Sequence, residues 1–319
     1  GSYIAEKLGE DISTLDFKAL TSDHVKKELG DVTFFTATDG NHGRGVAWAA
    51  NQLNQKSVVY MPVGSSRARL ENILNQGSDA SITDLNYDDA VRLAAENSLK
   101  TANSVVIQDT AWKGYTDIPT WIMQGYGTMA SEAMDQLQGM GIERPTHIFV
   151  QAGVGSFAGA IQGYFASIFK DNPPKVVIVE SDQADCLFRS ARAGDGDPRI
   201  VSGDMPTIMA GLACGEPNII SWEILKNHSN TFVSSPDPIA ALGMRILANP
   251  LKGDDKVVSG ESGAITTGIL YEIMMNSTYF ELKDHLGLNE DSKVLLFSTE
   301  GNTDPQIYRE ICWKGKYSF

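Results

Sequence analysis

Paired cysteines are missing from this sequence. Its three cysteines, Cys186, Cys214 and Cys312, form no C-x-x-C unit and its five histidines are scattered, which excludes the usual spacings of a zinc site or a dithiol redox centre. Positive charge is scarce as well: 26 lysines and arginines stand against 40 aspartates and glutamates, a formal charge of −14. Such a surface repels phosphate backbones and anionic headgroups, so neither nucleic acid nor a membrane surface is expected as a partner. No apolar run approaches the roughly 20 residues a spanning helix needs, and no signal peptide opens the chain, so the expected compartment is cytoplasmic. Internal repeats and low-complexity tracts are also lacking. What is there, 319 residues of which 42% are hydrophobic and 21% charged, suffices for two domains with cores of their own.

In a reducing compartment the three thiols are expected to stay free and mostly buried. One alternative is open: Cys186 and Cys214 bracket Ala191-Arg192-Ala193-Gly194-Asp195-Gly196-Asp197-Pro198, which reads as a mobile loop, and a bridge between the two cysteines would clamp it.

Short apolar runs alternate with helical patterns in the rhythm of a parallel sheet. Val32 to Ala37, Ser57 to Met61, Asp79 to Thr83 and Ser104 to Gln108 read as four strands. Helices are expected after the first three, from Gly45 to Leu53, Ser66 to Gln76 and Tyr87 to Ser98. A long amphipathic helix from Pro119 to Met140 then leads to a second set of strands at Thr146 to Gln151, Lys175 to Glu180, Thr231 to Val233 and Lys293 to Phe297. The expected organisation is an α/β protein with a small domain over 1–117 and a larger one over 118–319, each an open, mostly parallel sheet flanked by helices.

Two glycine-rich turns stand out. Thr38-Asp39-Gly40-Asn41-His42-Gly43-Arg44-Gly45 sits between a strand and a helix, where backbone N–H groups can approach an anion or a ring closely, although an ordinary βα turn would account for the local pattern. Gly153-Val154-Gly155-Ser156 follows the strand ending at Gln151 and opens a helix from Phe157 to Phe169, a seat for a phosphate dianion at a helix N-terminus. A dinucleotide turn is the rival reading. Gly-Val-Gly-Ser-Phe-Ala lacks the third glycine, and Glu180 is poorly placed for a ribose, so a single phosphate fits better.

In this order the Asn41 turn, Gln151-Ala152-Gly153-Val154-Gly155-Ser156 and Ser298-Thr299-Glu300-Gly301-Asn302 resemble the fold type II (tryptophan-synthase-β-like) family of pyridoxal 5'-phosphate enzymes. Four longer peptides, Thr38 to Trp48, Gln108 to Trp112, Ile118 to Tyr126 and Met209 to Asn218, resemble the branch of that family that eliminates ammonia from 2,3-diaminopropionate. The resemblance runs nearly end to end. It implies an α,β-elimination giving pyruvate and two ammonia, a small amino-acid substrate, pyridoxal phosphate as cofactor and a homodimer. A threonine or serine dehydratase or a cysteine synthase shares the fold; the pair Asp39 and Asp109 and the peptide Met209 to Asn218 argue against these.

Residue by residue, the resemblance assigns Gly153, Val154, Gly155 and Ser156 to the phosphate and Asn41 to the phenolic oxygen of the cofactor. Ser298 and Thr299 match the place where a hydroxyl faces the pyridine nitrogen, which leaves that nitrogen largely unprotonated. Gly260-Glu261-Ser262-Gly263-Ala264 matches a turn lining the cofactor, though a helix cap made by Ser259 would explain much of it. Asp39 and Asp109 match acidic residues that take the Cα proton, one for each stereoisomer; loop capping is the alternative for both.

One part of the family pattern is missing. The lysine that holds the cofactor covalently lies in a Phe-Lys-x-Leu-Gly-Gly-like stretch that should precede Tyr3-Ile4-Ala5-Glu6-Lys7, and no lysine from Lys7 to Lys316 has that context. The expectation is therefore a truncated chain, with Gly1-Ser2 a cloning remnant, the larger domain incomplete and turnover impaired. A non-catalytic fragment that binds pyridoxal phosphate or another phosphate non-covalently is the alternative.

Overall fold

The computed structural model describes residues 1–38 and 40–318; Asp39 lies outside the described residues. Contacts divide the chain into two units, Gly1–Trp121 and Ile122–Phe319.

The first unit opens with three short helices, α1 (Ser2–Leu8), α2 (Phe17–Leu20) and α3 (Asp23–Leu29). Then β1 (Thr33–Ala37), α4 (Asn41–Gln52), β2 (Lys56–Met61), α5 (Arg67–Leu74), β3 (Asp79–Ile82), α6 (Tyr87–Lys100) and β4 (Ser104–Val106) follow in strict alternation. Every strand pair is parallel and the strand order is β3-β2-β1-β4. Helix starts follow local chemistry. Ser66 accepts the N–H of Arg69 at the head of α5, and Asn86 accepts that of Asp89 at the head of α6, satisfying amides that lack a partner inside the helix.

The unit boundary falls within α7 (Asp117–Gly139). Next come β5 (His147–Gln151), α8 (Ser156–Ile168), β6 (Lys175–Ser181), α9 (Cys186–Ala193), α10 (Ile219–His228), β7 (Thr231–Ser235), α11 (Asp237–Ala248), α12 (Glu261–Met275), α13 (Phe280–Leu286), β8 (Val294–Leu296) and α14 (Pro305–Cys312). The strand order is β7-β6-β5-β8, again all parallel. The apolar runs of β5 and β6 are buried throughout because helices cover both faces. Ile148, Val150, Val176 and Ile178 pack with Ile161 and Phe165 of α8 and Trp222 and Leu225 of α10. Phe149, Val177 and Val179 point the other way, to Ile239 of α11 and Ile265 and Ile269 of α12. The α11–α12 crossing is backbone on backbone: a methyl at Gly243 would sit 2.0 Å from the Ala264 carbonyl oxygen, and one at Gly268 2.0 Å from that of Ile239.

Three readings are corrected. Cys186 and Cys214 are buried thiols, as expected, and the alternative of a bridge between them is not formed. The segment between them is not a loose loop: Ala191 to Ala193 end α9, Gly194 closes it in the left-handed conformation, Arg199 pairs with Asp195, and Trp222 Nε1 donates to the Gly196 carbonyl at 2.8 Å. Ser259 does not cap α12. Gly260 is the cap residue, and the N–H of Ser262 goes instead to Glu300 Oε1 at 2.8 Å.

Candidate active site

In an open parallel sheet a ligand crevice forms beyond the carboxyl ends of the strands where the chain reverses its direction of travel across the sheet. In the first unit the chain steps outward from β1 to β2 and β3, then returns to the other side of β1 as β4, so the reversal lies between β1 and β4. Asn41 is the first residue of α4, after β1, and Asp109 follows β4. The second unit repeats this plan between β5 and β8. Gly153 to Ser156 follow β5, and Ser298 and Thr299 follow β8.

At the first reversal point the loop after β1 is shaped by Thr38, whose hydroxyl oxygen accepts the N–H groups of Gly40 at 2.9 Å and Gly43 at 3.1 Å. Asn41 is exposed at the start of α4, and His42 Nε2 meets the Ile107 carbonyl oxygen at 2.8 Å. Asp109 is half-buried, and its carboxylate accepts from Gln108 Nε2 at 3.4 Å. The Tyr115 hydroxyl closes the turn beyond it, accepting from Gln108 N at 2.8 Å and donating to the Val106 oxygen at 2.9 Å. Burial pushes the Tyr115 phenol far above its ordinary range, so it remains a neutral strut. A cavity of about 350 Å³ lined by Tyr3, Lys7, Tyr115, Asp117 and Trp121 lies beside this strut and includes neither Asn41 nor Asp109.

At the second reversal point α8 starts from Gly155, whose φ of 95° suits glycine, and no side chain caps the helix. The amides of its first turn face out of the helix end, with the positive end of the helix dipole behind them. A methyl at Gly153 would come within 3.1 Å of Cys214 Sγ and 3.2 Å of the Gly211 oxygen. The turn is held from the peptide ending at Asn218. Asn218 N donates to the Val154 oxygen at 2.8 Å, Asn218 Nδ2 donates to Ser156 Oγ at 2.7 Å, and Asn218 Oδ1 caps α10 by accepting from Ile220 N at 2.8 Å.

Across from it, Thr299 Oγ1 accepts from Gln151 Nε2 at 2.8 Å, and Ser298 Oγ donates to Ser259 Oγ at 2.9 Å. Glu261 is the buried first residue of α12, and beside it the Ser262 hydroxyl is buried with no hydrogen-bond partner among the described residues. The residues fit pyridoxal phosphate: an uncapped helix end for a dianion, hydroxyls for a ring nitrogen and a buried hydroxyl still lacking a partner. Among the described residues no cluster of side chains suits a metal ion, and no helix is long and apolar enough to cross a membrane.

The structure thus brings Asn41 and Asp109 to one reversal point, and Gly153, Val154, Gly155, Ser156, Ser298, Thr299 and Glu261 to the other unit's counterpart. Sequence reasoning missed Thr38, Gln108, Asn218 and Glu300. Each lies inside or beside a peptide already singled out, but its role is set by a partner distant in sequence or by a side-chain direction that spacing does not reveal.

A family model described as pyridoxal-phosphate dependent enzyme matches residues 16–299. A diaminopropionate ammonia-lyase of Salmonella typhimurium is 55% identical over 99% of this chain and 78% of its own length. A diaminopropionate ammonia-lyase of Escherichia coli is 50% identical over 100% of this chain and 79% of its own length. The crystal structure of the Escherichia coli diaminopropionate ammonia-lyase in complex with D-serine superposes with a TM-score of 0.90 at 48% identity, covering 99% of this chain and 77% of that one.

Proposed function

From the premise that this chain belongs to the pyridoxal-phosphate dependent enzymes and, among them, to the diaminopropionate ammonia-lyases, we propose that it works by removing the Cα proton of 2,3-diaminopropionate with a carboxylate and expelling the β-amino group. The products are pyruvate and two ammonia. The observation that carries the reading is the place of Asp109, a half-buried carboxylate beyond β4 at the reversal point of its sheet, where a base and a cationic substrate can meet.

Bound pyridoxal phosphate supplies the electron sink that makes the Cα proton acidic. The chain's own residues do the rest. Ser156 and the amides of the Gly153–Ser156 turn hold the phosphate against the positive end of α8. The Ser298 and Thr299 hydroxyls would serve the pyridine nitrogen without a full charge, Glu261 would line the cofactor, and Asn41 would hold the phenolic oxygen. Asp109 takes the Cα proton of the L substrate and Asp39 that of the D substrate. We propose a smaller domain over 1–117, which carries Asn41, Asp39 and Asp109, and a larger one over 118–319, which carries the phosphate turn. We further propose that the protein is a cytoplasmic homodimer.

The test is a side-by-side assay of pyruvate release by the protein from D- and L-2,3-diaminopropionate, L-threonine and L- and D-serine. Preference for both diaminopropionate enantiomers supports the reading. Preference for a hydroxy amino acid would make it a dehydratase instead.

A further inference from the structure

The Gln108 side chain is fully buried and touches both the strand before the Asn41 turn and the Asp109 carboxylate. Its carbonyl oxygen accepts from Ala37 N at 3.0 Å and from Thr36 Oγ1 at 2.9 Å, both in β1. Its amide nitrogen donates to the Tyr87 hydroxyl at 2.7 Å and faces Asp109 Oδ1 at 3.4 Å. A backbone N–H can only donate, so Ala37 fixes which end of the amide is oxygen and leaves the nitrogen facing the carboxylate. All four hydrogen-bonding positions of the amide are used. Its own backbone is fixed from the far side by the Tyr115 hydroxyl, and a second tie, His42 to the Ile107 carbonyl, crosses the same strand pair.

We propose that Gln108 is a positioning residue that joins the loop after β1 to the loop after β4 and sets the direction of the Asp109 carboxylate. β1 and β4 are neighbours, yet Ala37 and Gln108 are 71 positions apart, and the backbone ladder between the strands ends with Ile107 N donating to the Phe35 oxygen at 2.8 Å. The Gln108 side chain continues that ladder past its last backbone pairs, at the level where the two loops diverge. Without it the two loops would lose this buried join and lean on the tie between His42 and the Ile107 carbonyl. The proposal rests on the reading of Asp109 as the base for the L substrate.

Two variants separate the two ends of the amide. Gln108→Glu keeps an acceptor toward Ala37 and Thr36 and replaces the donor toward Asp109 with an oxygen. Gln108→Met keeps the length and removes both ends. Hydrogen exchange on this chain reads the coupling without any turnover: in Gln108→Met, segments 36–45 and 107–115 both exchange on the order of tenfold faster, since each loses a buried partner. In Gln108→Glu only 107–115 does. In turnover assays, Gln108→Glu lowers kcat for the L enantiomer on the order of tenfold, leaves KM within about threefold and spares the D enantiomer. A purely structural role would lower both alike.

Unchanged exchange of 107–115 in both variants overturns the proposal. So do equal kcat losses on the two enantiomers while Asp109→Asn remains selective for the L form. If Asp109→Asn is itself unselective, the base assignment fails and the exchange data alone decide the role of Gln108.

Discussion

Asn218 Nδ2 donates to Ser156 Oγ at 2.7 Å, and both residues are buried. This fixes the serine oxygen as an acceptor on its inner side. Asn218→Asp keeps the cap on α10 but sets a carboxylate against the phosphate turn. We expect the affinity for pyridoxal phosphate to fall on the order of tenfold or more, because a buried charge replaces a hydrogen-bond donor. A titration followed by cofactor absorbance, with inorganic phosphate as competitor, measures it. An unchanged constant for both ligands would remove Ser156 from the phosphate site.

The two aspartates predict opposite stereochemical defects. Asp39→Asn should depress turnover of D-diaminopropionate on the order of 100-fold or more and spare the L form, and Asp109→Asn should do the reverse, since a lost general base costs about that much. Enantiomer-resolved kcat values check this. Equal losses on both substrates would make the carboxylates binding or structural groups.

The α11–α12 crossing leaves no room for a methyl group. Gly268→Ala would drive its Cβ to 2.0 Å from the Ile239 oxygen, and backbone cannot step aside as a flexible side chain can. A loss of about 1–3 kcal/mol or more is expected from overpacking. Urea denaturation of the variant checks it, with Gly45→Ala, where nothing lies within 4 Å, as the control.

Glu180 is fully buried at the end of β6, where burial pushes its carboxyl up to about 8, against the pull of hydrogen bonds from Leu187 N at 2.8 Å and Phe188 N at 2.6 Å. Between the unfolded value of 4.5 and about 8 the folded protein holds a proton that the unfolded chain has released. Stability from this group is therefore full below pH 4.5 and declines as pH rises through about 8, at up to about 1.4 kcal/mol per pH unit. Glu180→Gln should flatten that decline, whatever its effect on absolute stability. Denaturation curves at several pH values between 5 and 9 compare the slopes, and parallel slopes would rule the proton out.

Much of the fold was legible because parallel strands buried on both faces must be apolar through their centres, as Val176 to Val179 and Ile148 to Val150 are. Strand order was not. Nothing local in Ser104 to Val106 says that it pairs with β1 rather than β3, yet that choice creates the reversal point at Asp109. The cap of α12 shows the same limit at the scale of one bond. Local rules favour Ser259, but its hydroxyl donates to the Gly260 carbonyl and accepts from Ser298, while Glu300, 38 residues beyond Ser262, takes the amide. The glycine turns were legible because their backbone geometry is written in composition; the braces behind them, Gln108 and Asn218, are ordinary amides until the fold gives them partners.

The pairing of β8 with β5 sets a timetable for synthesis. Thr146 and Lys293, which bond to each other where the two strands begin, are 147 positions apart, so β5, β6 and β7 are all made well before β8 exists. Until then one edge of β5 carries unpaired N–H and carbonyl groups, and Gln151 lacks the Phe297 and Thr299 oxygens that its amide donates to. A nascent or C-terminally clipped chain of this protein therefore exposes an open strand edge at the very place where the phosphate turn begins. Cofactor added during translation should be captured only once ribosomes have passed Thr299, and chains stalled before β8 should be the ones that aggregate.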